Sequence, residues 1–217
     1  MAGTLPVNDF VRVTMTSNQP GQTSVSISGR RQTKQYATQF WTFDCEYRSL
    51  QREDAAKVMA FISKQRNNLL DFDVEMPVFS NTQGTVTTMI ESEGVSATLN
   101  IASNTAAGIS TIPVSSQWTS SSFANAGVSA NTALKAGDFI TFSNHYKTYQ
   151  ITDDVAFDSA GNANISIYPG LISSVTTSHS IDYNNVLFHV FLQDNNQAYE
   201  FGTADRSSIS LRLQESF

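Results

Sequence analysis

The sequence predicts a mainly β protein, in which a discontinuous β-sandwich domain carries one packed α-helix and is interrupted by a small β-barrel-like insertion. Three observations predict this class. Short alternating or β-branched runs, separated by Gly, Pro, Asn and Asp, recur along most of the 217 residues. Only one segment has a clear helical period. Charged residues make up 15% of the chain, against roughly 25% in an ordinary soluble domain, and uncharged polar residues take their place.

The N-terminal region reads as strands joined by turns. β-branched or aromatic runs lie at residues 10–15, 24–28 and 39–43. Gly and Pro at residues 19–22 and 29–30 supply the turns between them.

The predicted helix covers residues 49–66. Apolar residues recur at i, i+3, i+4 and i+7, which predicts one buried face: Ala55, Val58, Met59 and Ile62. We expect Ser49 to cap the N-terminus. Glu53 and Asp54 lie near the positive end of the helix dipole, and Lys64 and Arg66 lie near its negative end.

The composition changes twice along the chain and predicts the domain organisation. Residues 94–134 contain no charged residue, and residues 134–171 read as three strands separated by turns. Strong strand patterns return at 186–192 and 208–213. The shifts near 91 and 182 predict a domain formed by residues 1–91 and 182–217, interrupted by an inserted β-domain at residues 92–181.

The charge pattern disfavours nucleic-acid binding. The formal net charge is −6, the pI is about 4.9, and no basic run or Arg-rich helix is present. The nearest basic patch, Arg30, Arg31 and Lys34, is interpreted as a solvated turn. No apolar run approaches the ~18 residues of a membrane span, and the N-terminus lacks a signal-peptide pattern. We therefore expect a protein that stays soluble in the cytosol until it assembles.

Two acidic groups are candidate cation sites. Asp71, Asp73 and Glu75 alternate along one predicted strand face and offer the oxygen ligands that Ca²⁺ prefers. They lack the Gly and distal Glu of an EF-hand loop, so a solvated or subunit-contacting face is the favoured interpretation. The second group, Asp153, Asp154 and Asp158, precedes Gly and Asn and is typical of turns.

No catalytic or metal-binding constellation is recognisable. His145, His179 and His189 fall in different elements, without ligand or triad spacing. Cys45 is the only cysteine and lies in an alternating strand, where we expect it to be buried. We expect no enzymatic activity, no cofactor and no metal.

Aromatic residues offer one binding hypothesis. Trp118, Tyr146 and Tyr149, together with Phe123, could stack on sugar rings if they lie exposed in a row. Packing in a core or interface is the alternative interpretation.

Three runs in the predicted insertion carry a family resemblance. LKAGDFITF at residues 134–142, KTYQITDDV at 147–155 and GNANISIYPGL at 161–171 together resemble a small β-module of tailed-bacteriophage virion proteins. The flanking order of strands, one helix and a Phe-Asp-x-Glu strand is similar to distal tail (Dit-like) or baseplate-hub proteins.

The resemblance implies a structural virion protein, assembled in the host bacterial cytoplasm. Such proteins form homo-oligomeric rings, commonly hexameric, that join the tail tube to the tip and contact other tail proteins. Two alternatives remain open at this stage: a head–tail adaptor, and a carbohydrate-binding or host-adhesion module of a virion.

Overall fold

The structure, a computed structural model, describes residues 3–66, 68–93, 99–202 and 206–217. Strands account for 43% of the residues and helices for 13%, which confirms the predicted mainly β class. The chain divides into two compact units. The first comprises Met1–Val74 and His189–Ser216, and the second comprises Glu75–Phe188 and Phe217. The second unit thus begins before the composition shift near residue 91 and ends after the shift near residue 182. The insertion predicted at residues 92–181 stays a prediction.

The elements follow one another along the chain in three groups. The first group is β1 (Arg12–Asn18), β2 (Gly21–Val25), β3 (Arg31–Gln35), β4 (Phe40–Gln51), α1 (Arg52–Lys64) and β5 (Phe72–Glu75). The second is α2 (Val86–Glu93), β6 (Leu99–Ile101), β7 (Thr111–Ser115), α3 (Ser120–Asn125), a 3₁₀ turn (Ala130–Thr132), β8 (Phe139–Phe142), β9 (His145–Ile151), β10 (Asn162–Tyr168) and β11 (Ser180–Asp182). The third is β12 (Leu187–Leu192), β13 (Tyr199–Phe201) and β14 (Arg206–Glu215).

A six-stranded sheet is the centre of the first unit. Its strand order is β1-β4-β14-β12-β5, and β13 pairs with β14. Strand β4 alternates in burial as far as Tyr47 and also buries Leu50, so five of its side chains enter the core: Trp41, Phe43, Cys45, Tyr47 and Leu50. Helix α1 contacts β4 and β14 and buries Ala55, Val58 and Ile62. The predicted apolar face of the helix is therefore confirmed at these three positions.

The helix begins later than predicted, and the expected Ser49 cap is wrong. Gln51 is the N-cap residue and makes no side-chain capping bond. Ser49 still lies in β4, with a positive φ of 59°, at an irregularity where two residues of β4 lie opposite one residue of β14. Leu50 pairs with Ser207 of β14, so the sheet continues beyond Ser49, the residue predicted to cap the helix. Strand pairing overrides the local propensity of Ser49 here.

A closed barrel forms the second unit, in the order β10-β7-β6-β11-β8-β9. The three strands predicted within residues 134–171 are present as β8, β9 and β10. Two short helices were not predicted, because α2 and α3 lie in sequence rich in Ser and Thr that reads as strand or loop. Thr119 caps α3 through a reciprocal capping box with Ser122.

The barrel encloses one apolar core. Phe123 packs edge-on against Trp118 and stacks parallel to Phe157, with ring centroids 6.2 and 6.0 Å apart. Ile140 and Tyr149 are fully buried in the same cluster. In the described part of the chain, no helix is long and apolar enough to cross a membrane.

Candidate assembly surface

A buried carboxylate organises the entry to the barrel. Gly137 has a φ of +102°, a conformation that favours glycine, and delivers the chain to Asp138 and β8. The Asp138 side chain accepts hydrogen bonds from the Thr82 hydroxyl, from the Gln83 N–H at 2.9 Å and from the Lys135 N–H at 2.8 Å. This carboxylate therefore ties the segment before α2 to the start of the barrel.

The second acidic group behaves as the turn chemistry predicts. One carboxylate oxygen of Asp158 accepts the N–H groups of Ala160 and Asn162, each at 2.8 Å. These hydrogen bonds, that from Asn162 first, lower the pKa of Asp158. Gly161 closes the turn with a φ of +79°. Asp153 and Asp154 are exposed in the same loop, and Asp154 accepts the Ala136 N–H.

The first acidic group faces a histidine in the six-stranded sheet. The Nδ1 of His189 lies 2.7 Å from Asp73 Oδ1, and its Nε2 lies 3.7 Å from Asp71 Oδ2. Ser216 donates its hydroxyl to the same Asp71 oxygen at 3.0 Å. The two carboxylates thus approach different ring nitrogens and do not converge on one point. Within the described residues, no group of three or more His, Cys, Asp or Glu side chains is arranged to hold a metal ion.

His145 lies at the first residue of β9 and is held as a neutral imidazole. Tyr149 Oη accepts the Ile172 N–H at 3.0 Å, so its own proton can be donated to His145 Nε2, 2.7 Å away. The Nδ1–H then faces Asn144 Oδ1 at 2.8 Å. Burial, together with the nearby His179, lowers the pKa of His145 to about 4. The thiol of Cys45, in the first unit, is also buried, and burial raises its pKa to about 12.

The row of exposed aromatic side chains that sugar stacking would need is not formed. Trp118, Phe123 and Tyr149 are buried in the barrel core, whereas Tyr146 is 64% exposed. Tyr146 and Tyr149 lie on either side of an irregularity in β9, where its register with β8 shifts and residues 147–149 are all buried. Sugar stacking on Tyr146 stays a prediction.

The hairpin of β2 and β3, at residues 21–35, is the most exposed part of the first unit. Its strands pair with each other through five residue pairs, from Gly21 with Gln35 to Val25 with Arg31. They form a separate two-stranded sheet among the described residues. Every residue from 21 to 37 is exposed. The strand predicted at 24–28 is therefore shifted, because the chain turns at residues 26–30, where Gly29 adopts a φ of +80°.

The two edges of the six-stranded sheet differ. At β5, the N-terminal segment adds a parallel bridge between Thr4 and Asp73, and Leu5 donates its N–H to the Asp73 carbonyl at 2.9 Å. At the opposite edge, β1 pairs with β4 and ends the strand order among the described residues. Such an edge presents backbone groups to which another strand can pair.

Comparison with known proteins gives a family match for the barrel region. Residues 100–186 match the family model described as "Distal tail protein pb9, B domain". The match begins within β6 and ends at the residue before β12, so it covers the other five barrel strands, β7 to β11, in full. No curated protein matches the chain. The matched family is a structural protein of phage tails. The match supports a phage distal tail protein family for this chain, as its resemblance to such proteins predicted.

Proposed function

We propose that the chain assembles into a homo-oligomeric ring at the distal end of a phage tail, where it joins the tail tube to the tip. The match of the barrel to a distal tail protein B domain carries this proposal. The first unit forms the ring, and the barrel is an inserted module that contacts neighbouring tail proteins. Six copies form the ring, as the resemblance to Dit-like proteins implies.

The open sheet edge supports assembly with further copies. The edge at β5 is bridged by Thr4, whereas the edge at β1 is open among the described residues. An open edge offers backbone groups to another strand, and contacts between unlike surfaces of identical copies close into a ring when the rotation permits.

The composition also supports assembly. Charged residues are 15% of the chain, so few charges must be desolvated when copies meet. The exposed apolar side chains of the first unit include Val25, Ile27, Tyr36 and Phe201, which offer contact area for a neighbour.

Native mass spectrometry and negative-stain imaging of the purified full chain test the proposal. We expect a closed ring of defined subunit number whose population rises with protein concentration. A protein that remained monomeric at the highest accessible concentration would contradict ring formation. Location at the head–tail junction of the virion would favour the adaptor alternative instead.

A further inference from the structure

The hairpin of β2 and β3 is well formed, but the rest of the described chain does not cover it. Its turn is closed by hydrogen bonds from Ser26 N–H to the Arg30 carbonyl and from Gly29 N–H to the Ser26 carbonyl. Yet both strands are exposed along their whole length. An isolated two-stranded hairpin is marginally stable in water, so a defined hairpin of this kind gains stability when a partner covers it.

The exposed side chains indicate the chemistry of that partner. Val25, Ile27 and Tyr36 are 64%, 110% and 70% exposed. The hairpin also carries the cations of Arg30, Arg31 and Lys34, and no Asp or Glu occurs between residues 10 and 43. The partner surface must therefore be acidic and must offer apolar or hydroxyl contacts.

The chain itself contains such a surface, because its net charge is unevenly divided. The first unit has eleven acidic and eleven basic residues and is formally neutral, the hairpin included. The second unit has eight acidic residues and two lysines, so it carries the whole formal charge of −6. One of these lysines, Lys147, is fully buried, whereas Asp153, Asp154 and Asp158 are exposed together in one loop.

We propose that this basic hairpin docks on the acidic barrel unit of a second copy of the chain. The inference rests on the proposed ring: to the contacts between first units it adds a contact from the hairpin of one copy to the barrel unit of the next. The contact is head-to-tail and repeats around the ring. Because it is partly ionic, its strength falls as added salt shortens the screening length from about 10 Å at 0.1 M to about 3 Å at 1 M.

A charge-exchange experiment tests the contact in the full chain. Arg30→Glu with Arg31→Glu reverses the hairpin charge. Lys64→Glu with Arg66→Glu is the matched control, because it makes the same charge change at exposed positions near the end of α1. Asp153→Lys with Asp154→Lys reverses the charge on the barrel loop. Light scattering after size exclusion measures the assembled fraction against concentration and salt, and circular dichroism checks folding.

We expect the hairpin variant to need at least about tenfold more protein for assembly and to lose its salt dependence, with the fold unchanged. The control variant should assemble like the wild type. Combining the hairpin and barrel changes in one chain should restore assembly, because each reversed charge again meets its opposite.

Each other outcome overturns a defined claim. A hairpin variant that assembles like the wild type overturns the inference and leaves the ring intact. The barrel is overturned as the receptor if the hairpin variant loses assembly, the combined variant does not regain it, and the barrel variant alone assembles normally. If the wild-type protein binds a DNA duplex through the hairpin and does not self-associate, a second copy of the chain is overturned as the hairpin's partner. A wild type that stays monomeric at every salt concentration overturns the ring itself and the inference with it.

Discussion

Replacing Asp138 with alanine should destabilise the barrel strongly. The carboxylate is 95% buried and accepts hydrogen bonds from Thr82, Gln83 and Lys135. A hydrogen bond to a charged group contributes about 1.5–3 kcal/mol, and donors left unsatisfied in a buried site add to the loss. Removal of the carboxylate also relieves its desolvation, so we expect a net loss of about 3–5 kcal/mol in the free energy of unfolding. A domain has only about 5–15 kcal/mol in total.

Asp138→Asn refines the prediction, because Thr82 and Lys135 share one carboxylate oxygen and Gln83 binds the other. The amide can keep the first oxygen but turns an N–H₂ toward the Gln83 N–H. We expect a smaller loss, about 2 kcal/mol, from one lost bond and one donor–donor contact. Asp182→Ala is the matched control, since Asp182 is an exposed acid on the barrel strand β11.

Urea unfolding of the full chain, followed by tryptophan fluorescence, measures these differences. Trp118 lies in the barrel core and reports on that unit. The order of stability should be wild type and Asp182→Ala together, then Asp138→Asn, then Asp138→Ala. If Asp138→Ala lost no more than Asp182→Ala, the buried carboxylate would not hold the segment before α2, and the reasoning would be refuted.

Three further predictions concern single positions in both units. The Cys45 thiol, whose pKa is raised to about 12, should resist a thiol reagent in the native protein and react once per chain in urea; rapid native reaction would contradict its burial. Gly161→Ala should lower the free energy of unfolding by about 2 kcal/mol more than Gly127→Ala does. Both glycines have a positive φ, but of the two only Gly161 would place a Cβ against a backbone carbonyl oxygen, that of Ser116 at 2.4 Å. Equal losses in the two variants would refute this reasoning. The pKa of His145 is lowered in the folded protein, so as the pH falls the unfolded chain binds this proton first. The stability that this site contributes is therefore fully present above about pH 6.5 and is lost as the pH falls toward about 4. After discounting for partial exposure we expect a loss of about 1–2 kcal/mol, and His145→Gln should remove this part of the difference between melting curves measured at pH 7 and pH 4.

The strand content was predictable because it depends on local alternation. Strands β10 and β12 alternate in burial and are rich in Ile, Val and Phe. Strand β12 lies within one residue of the run predicted at 186–192, and β10 lies within the three-strand region predicted at 134–171. The helix α1 was predictable for the same reason, at period 3.6. Its start was not, because the pairing of Leu50 with Ser207 joins residues that are far apart in sequence.

The features most relevant to assembly depend on long-range contacts and could not be predicted. Asp138 reads as a turn residue until Thr82 is placed beside it, 56 positions away. The exposure of Tyr146 and the burial of Tyr149 follow from the register of β9 in a closed barrel. The sequence predicted a strand at residues 24–28 and a solvated turn around Arg30, but not that both strands of the hairpin are exposed along their whole length.

Cryo-electron microscopy of the assembled phage particle, with this chain fitted into the density, tests the central claim most directly. The account predicts a closed ring of identical copies at the distal end of the tail, between tube and tip, with one barrel unit on each copy. A single copy at that position, or a ring at the junction of head and tail, would contradict it.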